Sequence, residues 1–228
     1  MMGPFRFAMC FALFVGFAFS SSVQAQNIVL TSNDGFESPI APDGAMISNQ
    51  WIPFVGSGAV STVVDNTAPF AGFGHATLSI FATDNSFTGL FQQVDNIIAG
   101  ANYDFLFQGR SLAPTLGAAS AGLRIEWIDA TGNFIGGQFD NNLSINATDT
   151  YGLFSQSRIA PVGAASLRAV VFLDTFGPGD GPDDNTATLF IDNASVIGPD
   201  PSASVPEPTS LALLGLAAAG MIVRRRRC

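Results

Sequence analysis

The sequence predicts an all-β protein: a single β-sandwich with an apolar helix at each end. Three observations predict it. Apolar and polar residues alternate in short runs bounded by Gly, Pro, Asn and Asp; the middle of the chain keeps no helical period; and the two long apolar stretches sit at the termini. The chain divides accordingly into residues 1–25, 26–198, 199–204 and 205–228.

The first segment carries Arg6 and the free amine, an apolar run from Phe7 to Phe19, and the small-residue stretch Val23-Gln24-Ala25. That order is a secretory signal peptide cleaved after Ala25. It takes no part in the fold. Cys10 lies inside the apolar run and does not mark a lipid-attachment site.

In the middle, eight segments read as strands: His75–Phe81, Thr88–Val94, Asn102–Arg110, Ala121–Asp129, Asn133–Asp140, Tyr151–Ile159, Ser166–Asp174 and Thr186–Val196. Asp129 to Asn133 forms a hairpin loop in which Gly132 takes a positive φ. Many short strands with frequent turns favour a sandwich over a parallel α/β sheet. Successive strand residues point to opposite faces. Tyr103, Phe105 and Phe107 therefore share one face, as do Leu123, Ile125 and Trp127, and Leu167, Ala169, Val171 and Leu173. These sets fill the space between the sheets, and Trp51 joins them. Gln108, Arg110, Arg124, Glu126 and Arg168 fall on the outer side.

Composition narrows the function. The chain has no lysine, and the segment from Asn27 to Asp200 holds four arginines against 17 acidic residues, a net charge of −13 against −9 for the whole chain. Nucleic acid is excluded as a partner, because its binding rests on phosphate neutralisation by Lys and Arg. The two cysteines, Cys10 and Cys228, both lie in the end segments, so no disulfide staples the sandwich. His75 is the only histidine; no G-x-S-x-G elbow accompanies it, and no zinc site can be built from it. Paired carboxylates of the glycosidase kind are not singled out by any spacing. The loop Pro178 to Asn185 holds Asp180, Asp183 and Asp184 without EF-hand spacing and reads as a solvated acidic turn. No Thr ladder offers a flat ice-binding face.

After the Pro199–Ser204 linker, Thr209 to Val223 is uncharged and apolar, and Arg224 to Arg227 follow at once. As a helix this run would cover roughly 22 Å, short of the bilayer's hydrocarbon core of about 30 Å. The arginines put the C-terminus on the cytoplasmic side and the sandwich outside. Val205-Pro206-Glu207-Pro208, the short apolar helix and the arginine cluster together resemble the tails of PEP-CTERM bacterial surface proteins. That resemblance implies cleavage near the motif by an exosortase after passage through a membrane-bound intermediate, and a setting of exopolysaccharide and biofilm matrix. A tail kept as a permanent anchor is the alternative.

A second resemblance covers most of the middle. "NDGFES" (Asn33 to Ser38) followed by Trp51, "IEWIDATGNFIG" (Ile125 to Gly136), "RIAPVGAASLRAVV" (Arg158 to Val171) and "TLFIDNASV" (Thr188 to Val196) are similar to carbohydrate-binding-module jelly rolls and to galactose-binding-like domains. It implies a structural calcium joining the first and last strands through Glu37 and Asp192, an ion that takes six to eight hard oxygen ligands. It also implies polysaccharide as ligand. The outer polar set, Gln108, Arg110, Arg124, Glu126 and Arg168, would meet sugar hydroxyls, with Tyr151 or Phe172 as the aromatic part. Ion pairing of those arginines with surface Asp residues is the competing reading. The expected function is an exported, non-catalytic, polysaccharide-binding surface or matrix protein. The alternative is a structural or adhesive matrix component that binds protein partners or itself, with a glycoside-active enzyme as the residual.

Overall fold

The computed structural model describes residues 27–41, 50–56, 59–60, 68–81, 85–113, 116, 119–176 and 186–202. The signal segment with Ala25, the acidic loop at 178–185 and the tail from Val205 lie outside these residues. Every regular element described is a strand. In order they are β1 (Asn27–Val29), β2 (Ile52–Val55), β3 (Ala59–Val60), β4 (Ala76–Ile80), β5 (Phe87–Asp95), β6 (Asn102–Ser111), β7 (Ser120–Asp129), β8 (Phe134–Ile135), β9 (Leu143–Ile145), β10 (Gly152–Ile159), β11 (Ala164–Asp174) and β12 (Ala187–Pro199).

Two six-stranded antiparallel sheets stack as a sandwich. Sheet A runs β10-β6-β12-β4-β3, with β1 also on β12; sheet B runs β2-β5-β11-β7-β8, with β9 also on β7. The expected inward sets fill the gap. Tyr103, Phe105, Phe107, Leu123, Ile125, Leu167, Ala169, Val171 and Leu173 are fully buried, and Trp51 and Trp127 are nearly so. Rings chain through this core: Phe36 lies 5.6 Å from Trp51, Trp51 6.4 Å from Phe105, and Phe107 5.5 Å from Phe154 on the edge strand. Tyr103 packs edge-on against Trp127 at 5.9 Å, and its buried hydroxyl accepts the Ile98 N–H at 2.7 Å. Burial pushes that phenol's pKa above its ordinary value.

Three departures from the expected strands have local causes. Asn133–Asp140 keeps only Phe134–Ile135 as strand, because Gly136 and Gly137 take φ of 79° and 92° and turn the chain away. The strands β1, β2, β3 and β9 are two to four residues long, too short to show alternation; β2 also carries Pro53, which its place at the edge of sheet B permits. Finally, β12 bulges between Asp192 and Ser195, with Asn193 at φ 48°. The inward set shifts there from Leu189 and Ile191 to Ala194 and Val196. One extra residue changes the parity of the strand. The bulge exposes the Ala194 N–H to the Asp34 carbonyl at 2.8 Å, tying the first segment to the last strand.

Candidate functional site

The outer face of sheet B is built from rows of opposed residues. One row reads Phe54, Gly89, Phe172, Gly122 across β2, β5, β11 and β7. The two glycines make room for the rings. A Cβ on Gly89 would sit 2.2 Å from Phe54 Cζ and 2.5 Å from the Val171 carbonyl oxygen, and one on Gly122 would sit 2.4 Å from Phe172 Cζ. Each phenylalanine thus lies down over its neighbouring strand instead of standing away from it. Further rings extend the surface: Phe54 is 6.3 Å from Phe91 and 6.2 Å from Phe87, and Phe87 is 5.9 Å from Phe176.

Across the next rows stand the polar groups. Phe91, Val170 and Arg124 oppose one another, as do Gln93, Arg168 and Glu126. Arg124 and Glu126 share a face two residues apart, and Arg124 Nε donates to Glu126 Oε1 at 2.7 Å; their side chains are only 7% and 2% exposed. The same guanidinium lies 4.9 Å from the Phe139 ring and 5.2 Å from Phe172. Arg168 lies 4.9 Å from Phe91 and 5.5 Å from Phe134, and its Nε donates to Gln93. A cleft of about 530 Å³ opens here. Phe54, Phe87, Phe139, Phe172 and Phe176 wall it, and Arg124, Gln138, Asn142 and Asp174 supply its polar groups. Such a cavity falls in the size range of small-molecule sites, mostly apolar with a few placed polar groups.

The outer face of sheet A is organised differently. Arg110 lies 4.1 Å from the Phe190 ring and 5.2 Å from Tyr151. Phe70 meets Tyr151 edge-on at 5.6 Å, and His75 meets Phe190 edge-on at 4.8 Å. Burial raises the Tyr151 pKa against the lowering pull of the Arg110 hydrogen bond and charge. The loop around residues 70–74 lies against this face, held by two carboxylates. Asp192, fully buried, accepts the Ala71 N–H at 3.0 Å and the Asn193 N–H at 2.7 Å. Glu37 accepts the Phe73 N–H at 2.9 Å and the Gly74 N–H at 3.5 Å. Burial drives the Asp192 pKa up, against those amide donors and the charge of His75, which lower it.

The five outer polar residues expected on one sugar-binding face are therefore split. Arg124, Glu126 and Arg168 lie on sheet B, whereas Gln108 and Arg110 lie on sheet A because β6 pairs with β10 and β12. Alternation assigns a side chain to the outside without assigning the sheet. Pairing with surface Asp residues accounts for none of the three arginines: among the described residues Arg124 alone pairs with a carboxylate, and that partner is the buried Glu126. Of the two candidate aromatics, Phe172 lines the cleft on sheet B and Tyr151 is on the other face. Phe54, Phe87, Phe139 and Phe176 were not anticipated. Glycines inside strands mark a close approach, so Gly89 and Gly122 were the signal that could have revealed the rings beside them.

The pair Glu37 and Asp192 comes from opposite ends of the domain and meets at one loop. Hard carboxylate oxygens there suit calcium chemically. Among the described residues no group of three or more His, Cys, Asp or Glu side chains could hold a metal, so backbone carbonyls would have to complete the shell.

Comparisons agree with this architecture. The sandwich is similar to the CBM22-1 xylan-binding domain from Paenibacillus barcinonensis, with a TM-score of 0.52, 14% identity, and coverage of 78% of this chain and 97% of that one. It is also similar to part of the enzymatically active domain of tailspike protein 4 from Bacteriophage CBA120, with a TM-score of 0.50 at 17% identity over 74% of this chain; the match spans only 21% of the tailspike chain. An arabinose-bound α-L-arabinofuranosidase gives a TM-score of 0.50 at 15% identity, covering 78% of this chain and 27% of that one. At such identities the likeness establishes the fold alone, an all-β sandwich consistent with a jelly roll. Residues 204–227 match the PEP-CTERM protein-sorting motif, so the chain carries that sorting signal at its C-terminus. No curated protein matches the sequence.

Proposed function

We propose that this is an exported, exosortase-processed surface or extracellular-matrix protein whose sandwich binds polysaccharide in the cleft of sheet B, without catalysis. The cleft carries the reading. Sugars present apolar C–H faces to rings and hydroxyl rims to planar polar groups, and five phenylalanines with Arg124, Gln138, Asn142 and Asp174 offer both. Glycoside hydrolysis uses two carboxyl groups flanking the bond. The described lining offers Asp174 alone, and nearby Glu126 is held by Arg124. The sorting motif supports export and the matrix setting.

Glycan-array binding of Gln26–Pro201 tests the ligand. Phe139→Ala should weaken a hit about tenfold, the equivalent of roughly 1.4 kcal/mol, while Arg110→Ala on the opposite face leaves it unchanged. A blank array, or a loss in Arg110→Ala equal to that in Phe139→Ala, would reject the cleft. In a host with the processing enzyme, alanines at Pro206, Glu207 and Pro208 should hold the full-length chain at the membrane; normal release of that variant would reject the sorting step.

Calcium held by Glu37 and Asp192 is the second part of the reading. It rests on a fully buried carboxylate from the last strand meeting one from the first segment at a shared loop. Melting in calcium and in chelator should differ by several degrees for the native domain and not at all for Glu37→Ala. Identical native curves under both conditions would remove the ion.

A further inference from the structure

We propose that β10 is a self-association edge through which two copies of the chain pair antiparallel, joining their A sheets into one. Among the described residues the strand lies at the end of sheet A and pairs with β6 alone. Its register with β6 is continuous from Gly152 opposite Gly109 to Ile159 opposite Asn102, with no bulge. Eight extended residues present about 27 Å of edge. Half of the backbone N–H and C=O groups along it point away from β6, with no strand beside them among the described residues. Edges of this kind are usually blunted by charged side chains, Pro, a bulge or brevity. β10 has no Pro, bulge or Lys, and Arg158 is its single charge. In a domain of net charge −13, a strand free of carboxylates is also one along which a second copy meets little direct repulsion.

The strand selects its own register. A two-fold axis perpendicular to the sheet keeps outward residues outward, so only residues of the same parity can oppose one another. With the axis at Gln156, Leu153 meets Ile159 and Ser155 meets Ser157, each pair occurring twice. Leu153 and Ile159 are 61% and 67% exposed, large apolar side chains that the fold leaves to solvent. Axes at Ser155 or Ser157 would instead set Leu153 or Ile159 against serine. On the inner side, Arg158 falls opposite Phe154. Because the axis preserves the faces, both B sheets lie on the same side of the joined sheet. The two clefts then open together, a bivalent arrangement whose avidity for a polymer exceeds that of either cleft.

Cross-linking tests the register in the full chain with Cys10→Ser and Cys228→Ser. Directly opposed residues approach to about 5 Å and diagonal ones to about 7–8 Å, and a disulfide needs Cα atoms closer than about 7 Å. Ser155→Cys and Ser157→Cys preparations, oxidised mildly, should cross-link when mixed and stay uncross-linked apart. Absence of the mixed product, or equal product from either preparation alone, would overturn the proposal. Leu153→Lys, at an exposed position, should keep the native melting temperature while sedimentation shows the dimer lost. A native protein that sediments as a monomer, or a variant that still dimerises, would overturn it as well. Glycan binding by a single cleft is not an outcome of either experiment, so failure here leaves the ligand reading standing.

Discussion

The two outer faces of the sandwich use the same unit to different ends. On sheet B, Arg124 sits between Phe139 and Phe172 with Glu126 beside it. On sheet A, Arg110 sits between Tyr151 and Phe190, in the neighbourhood of Asp192. A guanidinium between two rings is a flat, rigid, polar-edged surface. What differs is what lies beside it. On sheet A the loop at 70–74 is tied down by amide donors to Asp192 and Glu37. On sheet B the rings lie flat over Gly89 and Gly122 and a cleft of about 530 Å³ stays open. Both guanidiniums are covered, Arg124 more fully than the half-buried Arg110, because Phe139 and Asn141 of the 136–142 segment lie over it; among the described residues, what sets sheet B apart is the cleft beside the arginine.

The largest effect in this comparison comes from the carboxylate on the cleft face. Glu126→Ala leaves Arg124 buried without its partner. Breaking a buried ion pair from one side costs about 3–5 kcal/mol, a fall in melting temperature of roughly 10 °C for a domain of this size. Thermal melts at neutral pH check it. A change within about 2 °C would mean that the flanking rings and solvent, more than Glu126, hold the arginine, and the two faces would then be alike.

Alternation made the sandwich and most of its core legible: β6 alternates in burial along its whole length, and the sequence of β7 alternates from Leu123 to Trp127, although the structure buries both faces of β7 and most of β11. It could not show which sheet a strand joins, since pairing depends on contacts far apart in sequence. Hence Gln108 and Arg110 were grouped with Arg124, Glu126 and Arg168 although the fold sets them on opposite faces. The cleft was half legible. Arg124 and Phe172 stand on long strands. Phe139 and Phe176 stand outside any strand, and Phe54 on an edge strand of four residues, where no local period exists to reveal a face. Glu37 and Asp192 were named through a family likeness; their shared hold on one loop is a fact of the tertiary structure.

A smaller effect, of opposite sign, belongs to the carboxylate on the covered face. Burial raises the Asp192 pKa from its ordinary 3.8, so the folded state holds the proton more tightly than the unfolded chain does. Stability from this group is fully present below the unfolded value and is lost as pH rises through the raised folded one. At neutral pH, without calcium, the ionised carboxylate is a cost. Asp192→Asn removes that cost and keeps one oxygen to accept the Ala71 N–H, at the expense of the acceptor for the Asn193 N–H. In chelator at pH 7 the variant should melt slightly above the native domain, and the gain should vanish below about pH 4, where the native group is protonated in both states. If the proposed calcium binds here, the order should reverse in calcium, because the variant would give up a charged ligand; an unchanged order would count against the ion. A variant that melts lower in chelator at neutral pH would show that the amide donors of the 70–74 loop outweigh desolvation. Asp192 would then be a partner that the covered face needs as much as the open face needs Glu126.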